Sequence, residues 1–155
     1  MTDENPPSTL SPQALAEACS AALAKDDHCA HALGIEVTHV EPGRAVLSMR
    51  VREDMLNGHN ICHGGMLFTL ADTAFAHACN SGNRNTVASA CHIDYLAPGH
   101  VHDTLTAVAQ ARSRAGRTGV YDIEICNQDQ VTIALFRGKS FQIQGNLVTP
   151  DGEQL

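Results

Sequence analysis

The sequence predicts an α+β domain: one long helix lying across an antiparallel sheet. Three observations predict it. Helical periodicity occurs over one long stretch, residues 65–79, between segments that alternate in the manner of strands. The segments after that helix are separated by short turn signals, which imply antiparallel neighbours. The long helix also has no charged face, so it must be covered on more than one side.

The elements follow in order. Residues 1–10, with two prolines and few apolar side chains, read as a loose tail. Ser11-Pro12 is a helix start, Ser at the N-cap and Pro in the first turn, with the helix running to about Lys25. Segments 34–41 and 45–51 alternate apolar and polar residues around Pro42-Gly43 and form a hairpin. Residues 52–62 are irregular, and the long helix runs from about Gly65 to Cys79. Strands are expected over about 85–96, 101–114, 118–126 and 130–143, with turns at Pro98-Gly99, Ala115-Gly116 and Asn127-Gln128-Asp129. The domain thus occupies 11–144, and residues 145–155 form a frayed C-terminal tail.

Composition narrows the function classes. With 155 residues, 43% hydrophobic and 17% charged, the chain is a globular single domain. A net charge of −7 argues against nucleic acid as a partner. Eight of the ten cationic residues are arginines, so any cluster of them carries information. The acidic, polar N-terminus does not read as a signal peptide, and no apolar run approaches the roughly 20 residues of a membrane span. A cytoplasmic protein without membrane partners is expected. The six cysteines lack any CxxC pair and read as free thiols filling core space.

The long helix carries the chemistry. Met66, Leu67, Phe68, Leu70, Ala71, Ala74, Phe75, Ala76 and Ala78 surround its axis, interrupted by Thr69, Asp72, Thr73 and His77. A partner subunit is the economical cover for its second side. Asp72 has Phe68, Thr69, Phe75 and Ala76 as its helical neighbours, an environment that raises a carboxylate pKa. Gly64-Gly65 at the helix start present backbone N–H groups at the positive end of the dipole, fit to polarise a carbonyl. Seven residues separate Gly65 from Asp72, about 10 Å along the axis, too far to serve one carbonyl within a chain. Two such helices running antiparallel about a two-fold axis would bring one terminus to the other's Asp72, giving two shared sites per dimer.

The stretch Asn57-Gly58-His59-Asn60-Ile61-Cys62-His63-Gly64-Gly65, continuing through Asp72 and Ala74, resembles the signature of hotdog-fold acyl-CoA thioesterases. It is most similar to the branch acting in bacterial phenylacetate degradation. Residues 76–81, 89–99 and the hairpin 114–118 extend the likeness, which covers most of 34–143. The N-x5-HGG-x6-D pattern is fairly specific for fold and reaction and poor at naming the acyl group. The resemblance implies a central helix wrapped by a curved antiparallel sheet, in a dimer with a continuous sheet that pairs again into a homotetramer.

It further implies hydrolysis of acyl-CoA with no cofactor and no metal. Asp72 would be base or nucleophile, and the amide of Gly64 or of Gly65 would polarise the carbonyl. Asn57 would orient carbonyl or water, and His63 would support that loop. Ser89 and Thr73 are substrate-binding candidates, and Arg112, Arg114 and Arg117 around the Gly116 turn would meet the coenzyme A phosphates, with Lys139 a weaker candidate. The acyl group is read as phenylacetyl or hydroxyphenylacetyl; benzoyl and medium-chain groups are not separated from these.

Rival readings are weaker. In Cys62-His63 and Cys91-His92 the adjacent side chains point apart, which does not make a nucleophile–base pair. His59-x2-Cys62-His63 lacks the second half of a zinc site. Enoyl-CoA hydratases of this fold carry their Asp and His on a loop before the helix, whereas Asp72 is in mid-helix. A non-catalytic acyl-CoA sensor would need an appended domain, for which residues 1–30 offer only one short helix.

Overall fold

The structure, a computed structural model, describes residues 8–155. The loose tail expected at the N-terminus falls mostly on residues 1–7, outside those described. Helix α1, Pro12–Lys25, starts where the sequence signals: the Ser11 hydroxyl accepts the Ala14 N–H at 3.1 Å. A second helix, α2, His28–Leu33, is one that periodicity over so few residues cannot reveal. Its punctuation is present, with Asp27 as N-cap and Gly34 as the left-handed C-cap.

Strands β1, Glu36–Glu41, and β2, Arg44–Arg50, form the expected hairpin. The irregular stretch contains a single 3-10 turn, Glu53–Met55, and leads into helix α3, Gly64–Cys79. Strands β3, Thr86–Tyr95, β4, Thr104–Ala115, β5, Thr118–Cys126, and β6, Thr132–Gln142, complete one antiparallel sheet in the order β1-β2-β4-β5-β6-β3.

One neighbour relation differs from expectation. β3 and β4, read as joined by a short turn and therefore paired, are separated by β5 and β6: β3 pairs with β6 at the edge, and β4 lies between β2 and β5. Residues 96–103 are a crossover, not a hairpin turn. Their backbone is held by the loop before α3, with Cys62 N–H to Gly99 O and His102 N–H to Val51 O both at 2.8 Å.

The sheet curls around α3 through one face of alternating residues. Ala45, Leu47 and Met49 on β2 register with Ala109, Ala107 and Leu105 on β4, and these with Ile123 and Ile125 on β5. Phe75 of α3 lies against Tyr121 and Phe136, with ring centroids 5.4 and 6.3 Å away. Gly138 permits that approach, since a Cβ there would stand 2.7 Å from the Phe75 ring.

The segment after Gly145 is packed where the sequence predicts fraying. The Asn83 carbonyl oxygen accepts from Leu147 and Val148 N–H, its amide donates to Val148 O, and the Val148 side chain is buried. No sequence periodicity signals a clamp made by one distant amide. The cysteines are free, but only Cys19 and Cys62 are fully buried; Cys29 is exposed, which corrects their reading as core filler. Among the described residues no helix is long and apolar enough to cross a membrane.

Candidate active site

The site is built on the two ends of α3 and the strands that flank it. At its start, His63 is the N-cap, and its Nδ1 accepts the Gly65 N–H at 2.9 Å. That acceptor role puts the proton of the neutral ring on Nε2. The Met66 and Leu67 N–H groups turn back to His63 O. Among the described residues the Gly64 N–H is therefore the one first-turn donor of α3 without an acceptor. Of the two amides left open by the sequence, Gly65's is engaged and Gly64's is free.

The Gly64 amide borders a cavity of about 540 Å³ that is also lined by Asn57, Leu67, Tyr95 and Leu96. Tyr95 closes over the glycine, its hydroxyl donating to Gly64 O at 3.1 Å. A Cβ on Gly64 would stand 3.0 Å from that ring, so a larger residue there requires the half-exposed Tyr95 to shift. Asn57 has its carbonyl oxygen committed to the loop backbone, accepting His59 N–H at 2.9 Å and Ile61 N–H at 3.4 Å. Its NH₂ group is thereby left as the end available to a ligand, a hydrogen-bond donor.

Asp72 stands on a half-open stripe of α3 made by residues 65, 68, 69, 72, 76 and 79. Apart from Gly64 and Met66 in the first turn, the remaining residues of α3 are buried, as the sequence leads one to expect. No donor reaches the Asp72 carboxylate among the described residues, and burial, with the nearby Asp27 charge adding to it, raises its pKa above 3.8. Asp27, on the loop before α2, was not anticipated; nothing in the sequence brings it near α3. Cys79 and Cys91 share this space: burial, with the Asp72 charge contributing, raises both thiols, that of Cys79 to about 12. Thr73, next in sequence, is buried and donates to Thr69 O at 2.7 Å.

Gly64 and Asp72 are eight residues apart, about 12 Å along one helix, and do not share a cavity. A second surface fits the missing half. β3 is an edge strand whose free side carries ten residues, and beside it Val87, Tyr95 and Leu96 are 44, 53 and 56% exposed.

The arginines separate. A β-bulge between Ala111 and Ser113 breaks the alternation of β4. Arg112 stays on the outer face, where its Nε donates to Asp122 at 2.9 Å. Arg137 also binds Asp122, and the two guanidinium groups hold that carboxyl below its usual range. Arg114 and Arg117 instead line a cavity of about 360 Å³ at the far end of α3, together with Arg84 and Cys79. Arg117 donates to Gln142 O at 2.8 Å and lies over the Phe141 ring. Arg84 was missed because it belongs to the loop after α3, distant in sequence from the other two.

Ser89 is the bulged residue of β3, with its hydroxyl donating to Lys139 O at 3.0 Å, while Ala88, Cys91, Ile93 and Tyr95 pair with the inward residues Ser140, Gly138, Phe136 and Ala134 of β6. Within one chain Ser89 is thus away from Asp72. Cys62 is no better as a nucleophile: burial pushes its thiol up to about 11. Among the described residues no three His, Cys, Asp or Glu side chains gather as a metal site would.

Comparisons with known proteins identify the family and the fold. The model of the thioesterase superfamily matches residues 59–134. The chain is 59% identical over 126 residues to the acyl-coenzyme A thioesterase PaaI of Escherichia coli, covering 81% of this chain and 90% of that protein. The solved structure of the E. coli PaaI protein from the phenylacetic acid degradation operon superposes with a TM-score of 0.86 at 56% identity, covering 88% of this chain and 99% of that one. A hypothetical thioesterase protein from Streptococcus pneumoniae solved with coenzyme A is 27% identical, with a TM-score of 0.70 over 72% of this chain and 88% of its own.

Proposed function

The chain belongs to the thioesterase superfamily, an acyl-CoA thioesterase of the hotdog fold, and from this membership we propose that it hydrolyses aromatic acyl-CoA with Asp72 as its base. The observation that carries the assignment is the unpaired, half-buried Asp72 carboxylate with its raised pKa. Burial without a partner makes a carboxylate a stronger base than it is in water.

In the proposed reaction the water oxygen attacks the thioester carbonyl carbon while Asp72 takes its proton. The carbonyl oxygen becomes an oxyanion facing the Gly64 N–H, the one free donor at that helix start, where the dipole adds to the attraction. Asn57 donates its NH₂ to the carbonyl or to the water. His63 positions the loop by fixing the Gly65 amide, and Thr73 lines the acyl side. As the tetrahedral centre collapses the carbon–sulfur bond breaks, and the coenzyme A thiolate recovers the proton from Asp72. Arg84, Arg114 and Arg117 hold the phosphates of the nucleotide end, a task given to Arg114 and Arg117 by the sequence. Arg112, committed to Asp122 on the outer face, is not assigned to them.

The working unit is a homodimer with two shared sites, each combining Asp72 of one protomer with the Gly64 terminus of the other. The free edge of β3 and the half-covered stripe of α3 support this, since a second copy would continue the sheet and cover the helix. We take the dimer to pair again into a tetramer. The free thiols suit a cytoplasmic compartment.

The preferred acyl groups are phenylacetyl and hydroxyphenylacetyl, from the operon context of the E. coli relative. A thiol-release assay over a panel of aryl- and alkyl-CoA thioesters tests the reading. Turnover fastest with the arylacetyl members is the expected result, and no turnover of any of them would overturn it.

A further inference from the structure

The loop between α3 and β3, residues 80–85, is tied down at nearly every position. At its base the Asn80 side chain brackets Thr86, its Oδ1 accepting Thr86 N–H and its Nδ2 donating to Thr86 O, both at 2.9 Å. Ser81 is buried, its hydroxyl donating to Ala78 O and accepting the Gly43 N–H at 2.8 Å. Asn83 is 6% exposed and carries the clamp on Leu147 and Val148 described above. Asn85 N–H donates to Gly145 O at 3.2 Å, and Asn85 O accepts the Ile143 N–H at 2.8 Å. Arg84 thus sits between two asparagines that both bond to the segment after β6.

The Arg84 side chain is left out of this bonding. It is exposed and lines the cavity of about 360 Å³ that Arg114 and Arg117 also line. None of these three guanidinium groups forms an ion pair with a carboxylate among the described residues, whereas Arg44, Arg52, Arg112 and Arg137 each do. Three such cations around one cavity repel one another, and a bound anion relieves the repulsion.

The loop reaches the cavity by way of Asn83. Its φ is 56°, in the left-handed region, which asparagine adopts more readily than most residues with a side chain. Asn83 is buried while Gly82 and Arg84 on either side of it are exposed, so the turn sends Arg84 outward. The segment that Asn83 grips is itself fixed elsewhere. Thr9 N–H and the Ser8 hydroxyl donate to Pro150 O at 3.2 and 2.9 Å, and Val148 bridges to Gln154. The C-terminal residues form a frame, and the loop is tied to it.

We propose that residues 143–148 aim Arg84 at the nucleotide end of the substrate, with Asn83 as the positioning residue. The inference rests on the reading above, in which Arg84, Arg114 and Arg117 hold the coenzyme A phosphates, and deepens it by making that grip depend on the C-terminal segment. An arginine on a loose loop loses backbone freedom as well as rotamer freedom when a phosphate binds. With the backbone fixed on both sides beforehand, only the side chain remains to be ordered. Removing the Asn83 amide releases Leu147 N–H, Val148 N–H and Val148 O together, and the tip of the loop with them. Gly64 and Asp72 belong neither to this loop nor to this cavity, so the chemical step is not touched.

The experiment measures kcat and KM for phenylacetyl-CoA and phenylacetyl-pantetheine in the native protein, Asn83→Gly, Arg84→Ala and the double variant. Glycine accepts the left-handed φ, so Asn83→Gly removes the side-chain bonds without straining the turn. Arg84→Ala should raise KM for the coenzyme A ester by roughly three- to tenfold and leave the pantetheine ester unchanged. Asn83→Gly should raise KM by about threefold, again for the coenzyme A ester alone and with kcat kept. The double variant should match Arg84→Ala, because a positioning residue then has nothing to position. A second measurement uses the native protein only. Saturating adenosine 3′,5′-bisphosphate should slow hydrogen exchange of the Leu147 and Val148 amides by a similar factor, since linkage between the clamp and the phosphate site is reciprocal.

A KM rise shared by both esters, or one that persists in full when Arg84 is already alanine, would mark Asn83 as structural and overturn the inference. Exchange at Leu147 and Val148 that ignores the bisphosphate overturns it as well, whether or not the variants fold. In both cases Arg84→Ala would still raise KM for the coenzyme A ester alone, and the reading of the nucleotide site would stand. An Arg84→Ala protein with native KM for both esters would remove that reading, and the inference with it.

Discussion

His63 Nδ1 takes the Gly65 N–H at 2.9 Å, and this one bond decides which amide of the helix start is left without an acceptor. A histidine that folds back as N-cap uses up the second glycine and leaves the first. Gly64→Pro tests the consequence. Proline is tolerated at a first helical position, and His63 already has the extended backbone that precedes a proline, φ −61° and ψ 134°. The ring would meet Tyr95, so the change belongs in a Tyr95→Ala background. Relative to Tyr95→Ala alone, kcat should fall by about 100- to 1,000-fold, the usual cost of one oxyanion donor. A fall of less than threefold in a thiol-release assay would remove Gly64 from the mechanism.

Asp72→Asn should lower kcat by about 100-fold or more while coenzyme A binding survives, as measured by thiol release and calorimetry. Retained hydrolysis would sink Asp72 as the base. Single turnover in water enriched with oxygen-18 separates the two roles of a carboxylate: a base leaves the label in the acid, and a nucleophile would leave it in Asp72 on the first turnover.

The pH dependence follows from the sign of the shift. The folded Asp72 pKa lies above 3.8, its ordinary value, and only the ionised form is a base. Activity should therefore rise with pH through a limb displaced upward from the ordinary aspartate value. Stability runs the other way. Between the unfolded and the folded pKa the native state binds the extra proton, so the Asp72 contribution is fully present below 3.8 and is lost as pH rises through the folded value. Asp72→Asn should consequently melt higher than the native protein at neutral pH, and a lower Tm would contradict the burial argument.

Mixing tests the shared site. Asp72→Asn homodimers and Gly64→Pro homodimers in the Tyr95→Ala background are each expected to be nearly inactive, but a heterodimer carries one site with both defects and one with neither, since Tyr95 lies beside the Gly64 of its own chain. Equal mixing with free subunit exchange should restore about a quarter of the activity, since half the dimers are mixed and each has one good site. No recovery after exchange is demonstrated by mass spectrometry would place the whole site within one chain.

Arginine substitutions separate the two faces of the sheet. Arg84→Ala, Arg114→Ala and Arg117→Ala should each raise KM for acyl-CoA several-fold, with little effect on an acyl-pantetheine that lacks the nucleotide. Arg112→Ala should leave KM alone, because that guanidinium is held by Asp122 on the other face. An equal KM effect from Arg112→Ala would restore the three-arginine cluster suggested by the sequence.

What the sequence determined by itself is whatever depends on spacing along one element. The distance from the Gly64-Gly65 start to Asp72 follows from the rise of a helix, so the separation on which the proposal of a second subunit rests was legible before any coordinates. The hairpin at Pro42-Gly43, the Ser11 cap and the apolar surround of Asp72 are local in the same sense.

Tertiary structure alone decided what depends on residues meeting from afar. A single extra residue in β4 turns Arg112 away from Arg114, and a loop brings in Arg84. The crossover at residues 96–103 replaces an expected turn because its backbone is held by Val51 and Cys62, and the bulge at Ser89 takes that hydroxyl from the helix face. The choice of Gly64 over Gly65, and the placing of Ser20 and Asp27 beside α3, likewise rest on hydrogen bonds and packing that no periodicity encodes. Periodicity reports which face of an element is apolar, whereas alternation fails at a bulge and says nothing about which distant group will satisfy a polar atom.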